Sequence, residues 1–100
     1  MKYTVSILSE AEADIDMAYV WYEMKQKDLG NLLFKIINKS TLSISINPRI
    51  GEEIYQGVRR IVIPKFPYGI YYRVIDEISE IQIIGVINFY RSNRIIRKRL

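Results

Sequence analysis

Gly57-Val58-Arg59-Arg60-Ile61-Val62-Ile63, Ile70-Tyr71-Tyr72-Arg73-Val74-Ile75 and Ile81-Gln82-Ile83-Ile84-Gly85-Val86-Ile87-Asn88-Phe89 are the runs that decide the fold. Each is rich in the β-branched and aromatic side chains that suit a pleated surface. Turn chemistry separates them. Lys65-Phe66-Pro67-Tyr68-Gly69 lies between the first two, and Asp76-Glu77-Ile78-Ser79-Glu80 between the second two. This pattern predicts strands over residues 58–63, 70–75 and 81–89. With connections so short, they form an antiparallel meander.

Upstream of Gly51 the period is helical. Ala11, Ile15, Ala18 and Tyr22 recur at helical spacing, with acids crowding the front and Lys25 and Lys27 at the back. Ser9 is the expected N-cap, with Glu12 closing a capping box. Tyr19, Trp21 and Tyr22 are expected to pack. A second helix, over residues 28–47, carries Leu29, Leu32, Leu33, Ile36, Ile37 and Ile44 as its apolar stripe, and Pro48 stops it. The polar break Lys25-Gln26-Lys27-Asp28 makes the two an antiparallel hairpin. Residues 2–8 alternate as an N-terminal strand, which can join the meander as a fourth, beside the last strand or elsewhere, since the sequence does not fix its place. Glu52-Glu53 is expected in a solvated loop. The fold class is α+β, with the helical hairpin on one face of an antiparallel sheet and one domain over residues 1–100.

Composition narrows the chemistry. The 100 residues include no cysteine and no histidine, which excludes disulfides, Cys/His zinc sites and any imidazole base. Glu10, Glu12, Asp14 and Asp16 spread around a helix start, where they serve the helix dipole and not a metal. No metal or cofactor is expected. No apolar run is long enough to cross a bilayer, and the N-terminus lacks the pattern of a signal peptide, so a cytoplasmic location is expected. The net charge is +4. Residues 1–50 balance six basic side chains against six acids, whereas residues 51–100 carry nine against five. The last ten residues hold Arg91, Arg94, Arg97, Lys98 and Arg99 with no acid. That excess is either a solvated tail or a surface for an anionic partner.

Alternation sorts the strand residues. If Ile61 and Ile63 face the helices, Arg60, Tyr71, Arg73, Asn88 and Tyr90 share the open face. Arginines interleaved with tyrosines suit single-stranded RNA, protein hot spots, or ordinary cross-strand packing.

Three segments carry a resemblance that spans nearly the whole chain. They are Asn47-Pro48-Arg49-Ile50-Gly51 with Gly57-Val58-Arg59-Arg60, then residues 66–74, then Val86-Ile87-Asn88-Phe89-Tyr90-Arg91. Together with the element order, they resemble the RelE/ParE family of type II toxins. The resemblance implies a growth-blocking toxin neutralised by a cognate antitoxin, in a toxin–antitoxin hetero-oligomer. ParE-like members inhibit DNA gyrase, and RelE-like members cleave mRNA on the ribosome. Under the RNA-cleaving alternative, Arg60, Arg73, Tyr90 and Arg91 are the catalytic candidates. Arg59, Lys65, Tyr71, Asn88 and Arg94 are the binding candidates. Arg60 matches the RelE-like position on the second strand and Arg59 the ParE-like one. Asn88 stands where many relatives carry histidine, which argues against histidine-based cleavage and for gyrase or another protein target. A binding module without toxicity is the remaining alternative.

Overall fold

In a computed structural model describing residues 2–100, a five-stranded sheet lies between a helical hairpin and a short C-terminal helix. Met1, the first residue of the expected domain, lies outside the described residues. The elements run β1 (Thr4–Ile7), α1 (Ser9–Lys25), α2 (Leu29–Ile46), β2 (Glu52–Tyr55), β3 (Val58–Val62), β4 (Tyr68–Ile75), β5 (Glu80–Asn88) and α3 (Ser92–Arg99). The sheet order is β1-β5-β4-β3-β2. All neighbours are antiparallel except β1, which runs parallel to β5. The α+β class, the hairpin and the meander agree with the expectation, and β1 does lie beside the last strand.

Several local expectations are corrected. Ser9 is not the N-cap: Leu8 takes that position in extended backbone, no side chain caps α1, and the Glu12 N–H bonds the Leu8 carbonyl. At α2 the N-cap Asp28 makes no side-chain cap bond either, and a residue of α1 serves in its place. There the Glu23 carboxylate accepts from the Asp28 and Gly30 N–H groups, both at 2.9 Å, fastening the hairpin turn. Glu52-Glu53 is not loop but the edge strand β2, paired with Arg59 and Arg60. The last residues are not a free tail. They form α3, which the sparse apolar content of the segment (only Ile95 and Ile96 before Leu100) conceals from periodicity.

The main core lies between the hairpin and the sheet. Ala11, Ile15 and Ala18 of α1 and Leu33, Ile37 and Ile44 of α2 pack on Ile70, Tyr72, Ile81, Ile83 and Val86. A second, smaller core forms on the opposite face, where Ile96 of α3 covers Val58, Tyr71, Ile84 and Ile87. Tyr72 also ties down the approach to β2: its hydroxyl donates to the Pro48 carbonyl at 2.8 Å and accepts from the Gly51 N–H at 2.9 Å. At the edge of the molecule Asp76 accepts from Arg49 and Tyr3, and the Arg49 bond above all holds its carboxyl below the usual range.

Candidate functional site

A bulge in β5 decides which residues share the outer face. Tyr71 pairs with Gly85 and Tyr72 with Ile83, so β5 spends one extra residue, Ile84, opposite two consecutive residues of β4. Beyond the bulge every side chain changes face. Val86 joins the hairpin core and Ile87 the α3 core, the reverse of simple alternation. Asn88 pairs with Tyr68, whose ring packs on the hairpin core. It therefore lies on the hairpin side and not, as expected, beside Arg60 and Arg73. Its carboxamide oxygen accepts the Tyr90 N–H at 2.9 Å, and its backbone carbonyl accepts the Arg91 N–H at 3.0 Å. Asn88 thus builds the turn that turns Tyr90 out to solvent, where it is 81% exposed.

Tyr71 is the second correction. It was expected on an open surface, yet it is fully buried under α3, and its hydroxyl has no hydrogen-bond partner among the described residues. Leaving a buried phenol unpaired costs about 1–3 kcal/mol of desolvation. Tyr71→Phe is therefore expected to raise stability by about 1 kcal/mol in urea melts. A loss greater than about 0.5 kcal/mol would mean that the hydroxyl is bonded after all.

The register separates the two adjacent arginines. Arg60 pairs with Tyr71 and so faces α3, where it forms a 3.0 Å ion pair with Glu52. Arg59 pairs with Tyr72 on the hairpin side and donates to the Gly51 carbonyl at 2.6 Å, a bond that steadies the loop before β2. Arg73, opposite Val58 and Gln82, shares the face of Arg60. Asn88, however, is level with Tyr68, five residues from Arg73 along β4, or roughly 17 Å at strand rise. Tyr90 and Arg91 follow β5 at that far end. There they line an open groove of about 500 Å³ with Phe89, Asn93, Arg94 and Ile95. Lys65 lies elsewhere, in a loop with φ of 71°, beside Lys35 and Lys39 of α2 in a groove of about 430 Å³.

What holds α3 in place is a side-chain clamp. Arg99 donates to both carboxylate oxygens of Asp14, at 2.6 and 3.0 Å, and to the Ile84 carbonyl at 3.1 Å. Asp14 also accepts the Val86 N–H at 3.1 Å, so one α1 carboxylate satisfies both the bulge and the helix. Asp14 beside it, through these hydrogen bonds, raises the Arg99 pKa above its ordinary value. Gly85 is the site of closest approach. A Cβ there would stand 2.9 Å from the Arg99 guanidinium and from Ile87 Cδ1, and 3.1 Å from Ile96 Cδ1, so a larger residue would force these side-chain ends to shift.

The sequence matches the ParE toxin of the type II toxin–antitoxin system, parDE, over residues 5–92. The chain belongs to the ParE toxin family. Solved structures bear out the fold. A chain of the chromosomal ParDE toxin–antitoxin system of P. aeruginosa is 21% identical with a TM-score of 0.75, covering 87% of this chain and 96% of its own. The RelBE2 toxin–antitoxin complex of Mycobacterium tuberculosis gives 21% and 0.62, covering 88% and 99%. A mutant of the E. coli toxin RelE in the free state gives 18% and 0.62, covering 99% and 94%. Among curated proteins no sequence matches.

One surface of this ParE-family chain was missed at the level of sequence. Met17, Val20, Trp21 and Met24 form an exposed apolar stripe on α1, between 53% and 81% exposed. Trp21, expected to pack, faces solvent with the Lys25 Nζ 4.5 Å from its ring centre, whereas Tyr22 does pack, against Phe66. The spacing of 17, 20, 21 and 24 marks a single helix face and was the available signal.

Proposed function

We propose that this ParE-family toxin blocks growth by engaging a protein target, DNA gyrase, and is silenced by its cognate antitoxin. The observation that supports a protein target is the dispersal of the groups that RNA cleavage would need. Such cleavage requires a base, an acid and cations around one phosphate. Here Tyr71 is buried, Asn88 is engaged in a turn, and Arg73 lies roughly 17 Å of strand rise from the end that carries Tyr90. No histidine exists to replace them. The apolar stripe on α1 supports an antitoxin seat, since four large apolar side chains on one helix face favour an amphipathic partner.

The test is induction of the chain in bacteria, with and without its antitoxin, followed by measurement of DNA supercoiling and mapping of mRNA ends in the same culture. Altered supercoiling without codon-phased cuts is expected. Tyr90→Phe should leave growth arrest intact, while Trp21→Glu should weaken rescue by the antitoxin at least tenfold in dose. Codon-phased cuts that vanish in Tyr90→Phe or Arg60→Ala would replace gyrase with ribosome-bound mRNA as the target. Continued growth would favour the binding module without toxicity.

A further inference from the structure

We propose that the outer face of α3 and the turn before it bind single-stranded nucleic acid, independently of the toxin's target. Arg91, Arg94, Arg97 and Lys98 would take the phosphates and Tyr90 an unpaired base. All five side chains are exposed. None of the four cations enters an ion pair among the described residues; of the C-terminal segment only Arg99 does. Helix geometry sets Arg94 and Lys98 one turn apart in one row, at a rise of roughly 6 Å, with Arg91 just ahead of the first turn, so these charges follow a strand laid along the helix. Arg97 sits one row over, braced by its guanidinium 4.9 Å above the Tyr55 ring.

Two open grooves flank Arg94. One is the groove of about 500 Å³ beside Tyr90; the other, of about 490 Å³, is lined by Asn93, Arg94, Arg97 and Lys98. Neither contains an acid to repel phosphate. Tyr90 is a fitting platform for a base: it is 81% exposed and backed by Phe89, with ring centres 4.7 Å apart. An acidic protein is the competing occupant. It fits less well, because protein hot spots are aromatic or arginine anchors desolvated in well-packed pockets, whereas these grooves are open and Tyr90 is 81% exposed. The cations meet phosphate and Tyr90 a base face, features that DNA and RNA strands share, so both are bound.

Fluorescence anisotropy of the purified full chain with labelled dT and rU oligonucleotides tests this. Four phosphate contacts predict a log–log salt slope of roughly −3, or about 50-fold weaker binding from 50 to 200 mM salt. Arg94→Glu with Lys98→Glu should roughly halve that slope, and Tyr90→Ala should weaken binding about tenfold with the slope unchanged. Both sets of substitutions are on the surface, and thermal melts should show them folded. Equal competition by poly-glutamate would assign the patch to an acidic protein and overturn the proposal. Duplex DNA binding as tightly as dT, or no binding at 50 mM salt, would overturn it too. None of these results depends on gyrase, so failure here leaves the toxin's target untouched, and the reverse holds.

Discussion

Asp14→Ala is expected to cost about 3 kcal/mol of stability, more than any surface ion pair in this chain. Ordinary surface pairs contribute about 0–1 kcal/mol, because water and salt screen them. Asp14 and Arg99 are different, with side chains only 15% and 14% exposed and two short, parallel hydrogen bonds between them. Removing the carboxylate strands a largely buried guanidinium and also leaves the Val86 N–H at the bulge unpaired. Removing one partner of a fully buried pair costs about 3–5 kcal/mol, and the remaining contacts to Glu10 and the Ile84 carbonyl place this case at the lower end. Asp14→Ala combined with Arg99→Met removes the stranded charge, so the double variant should recover about half of the loss. Urea melts of the three proteins decide it. A single-variant loss under about 1 kcal/mol would mean that the clamp does not hold α3.

Ile70→Ala should cost about 3–4 kcal/mol. Ile70 is wholly buried at the centre of β4, paired with Ile61 on one side and Val86 on the other. Its neighbours belong to strands on both sides, so the cavity left behind collapses poorly and the loss falls in the upper part of the usual range. Ile36 lies on the stripe of α2 that faces the same core, but it is only half-buried and borders the groove with Lys65. Ile36→Ala should therefore cost less, about 1–2 kcal/mol. Comparable losses in both variants would mean that the groove beside Ile36 is closed in solution. A loss below about 0.5 kcal/mol at Ile70 would contradict the core described here.

The local pattern carried the order of the elements. Ala11, Ile15, Ala18 and Tyr22, and the Leu/Ile stripe from Leu29 to Ile44, lie at spacings that only a helix converts into one apolar face. The runs after Gly57 do the same for strands, and the turn residues between them leave little choice but a meander. The cationic excess of the last ten residues, and the motifs shared with RelE/ParE toxins, were equally visible, because they depend on residue identity and spacing alone. Periodicity has no access to contacts between distant segments. The Glu52-Glu53 strand exists because β3 offers it a ladder edge. The parallel placement of β1 follows from α1 and α2 carrying the chain across the sheet.

The arrangement of the candidate site was decided almost entirely by tertiary structure. One extra residue at Ile84 reverses the faces of Val86, Ile87 and Asn88, and in the run Ile83-Ile84-Gly85-Val86 only the strand glycine hints at where alternation breaks. A bulge costs ladder pairing locally and is chosen by the packing on both faces, which no single strand records. Likewise α3 contributes only Ile95 and Ile96 to the second core, too few to announce a buried helix against its four basic residues. It docks because Asp14, 85 residues away in sequence, neutralises Arg99, and because Gly85 leaves room for the guanidinium. That docking buries Tyr71 and turns an expected open face into a covered one. Residue types and their spacing sufficed for the family and the layers of this protein, while the exposure of each site residue awaited non-local packing, because register, bulge and helix docking are set by partners far along the chain.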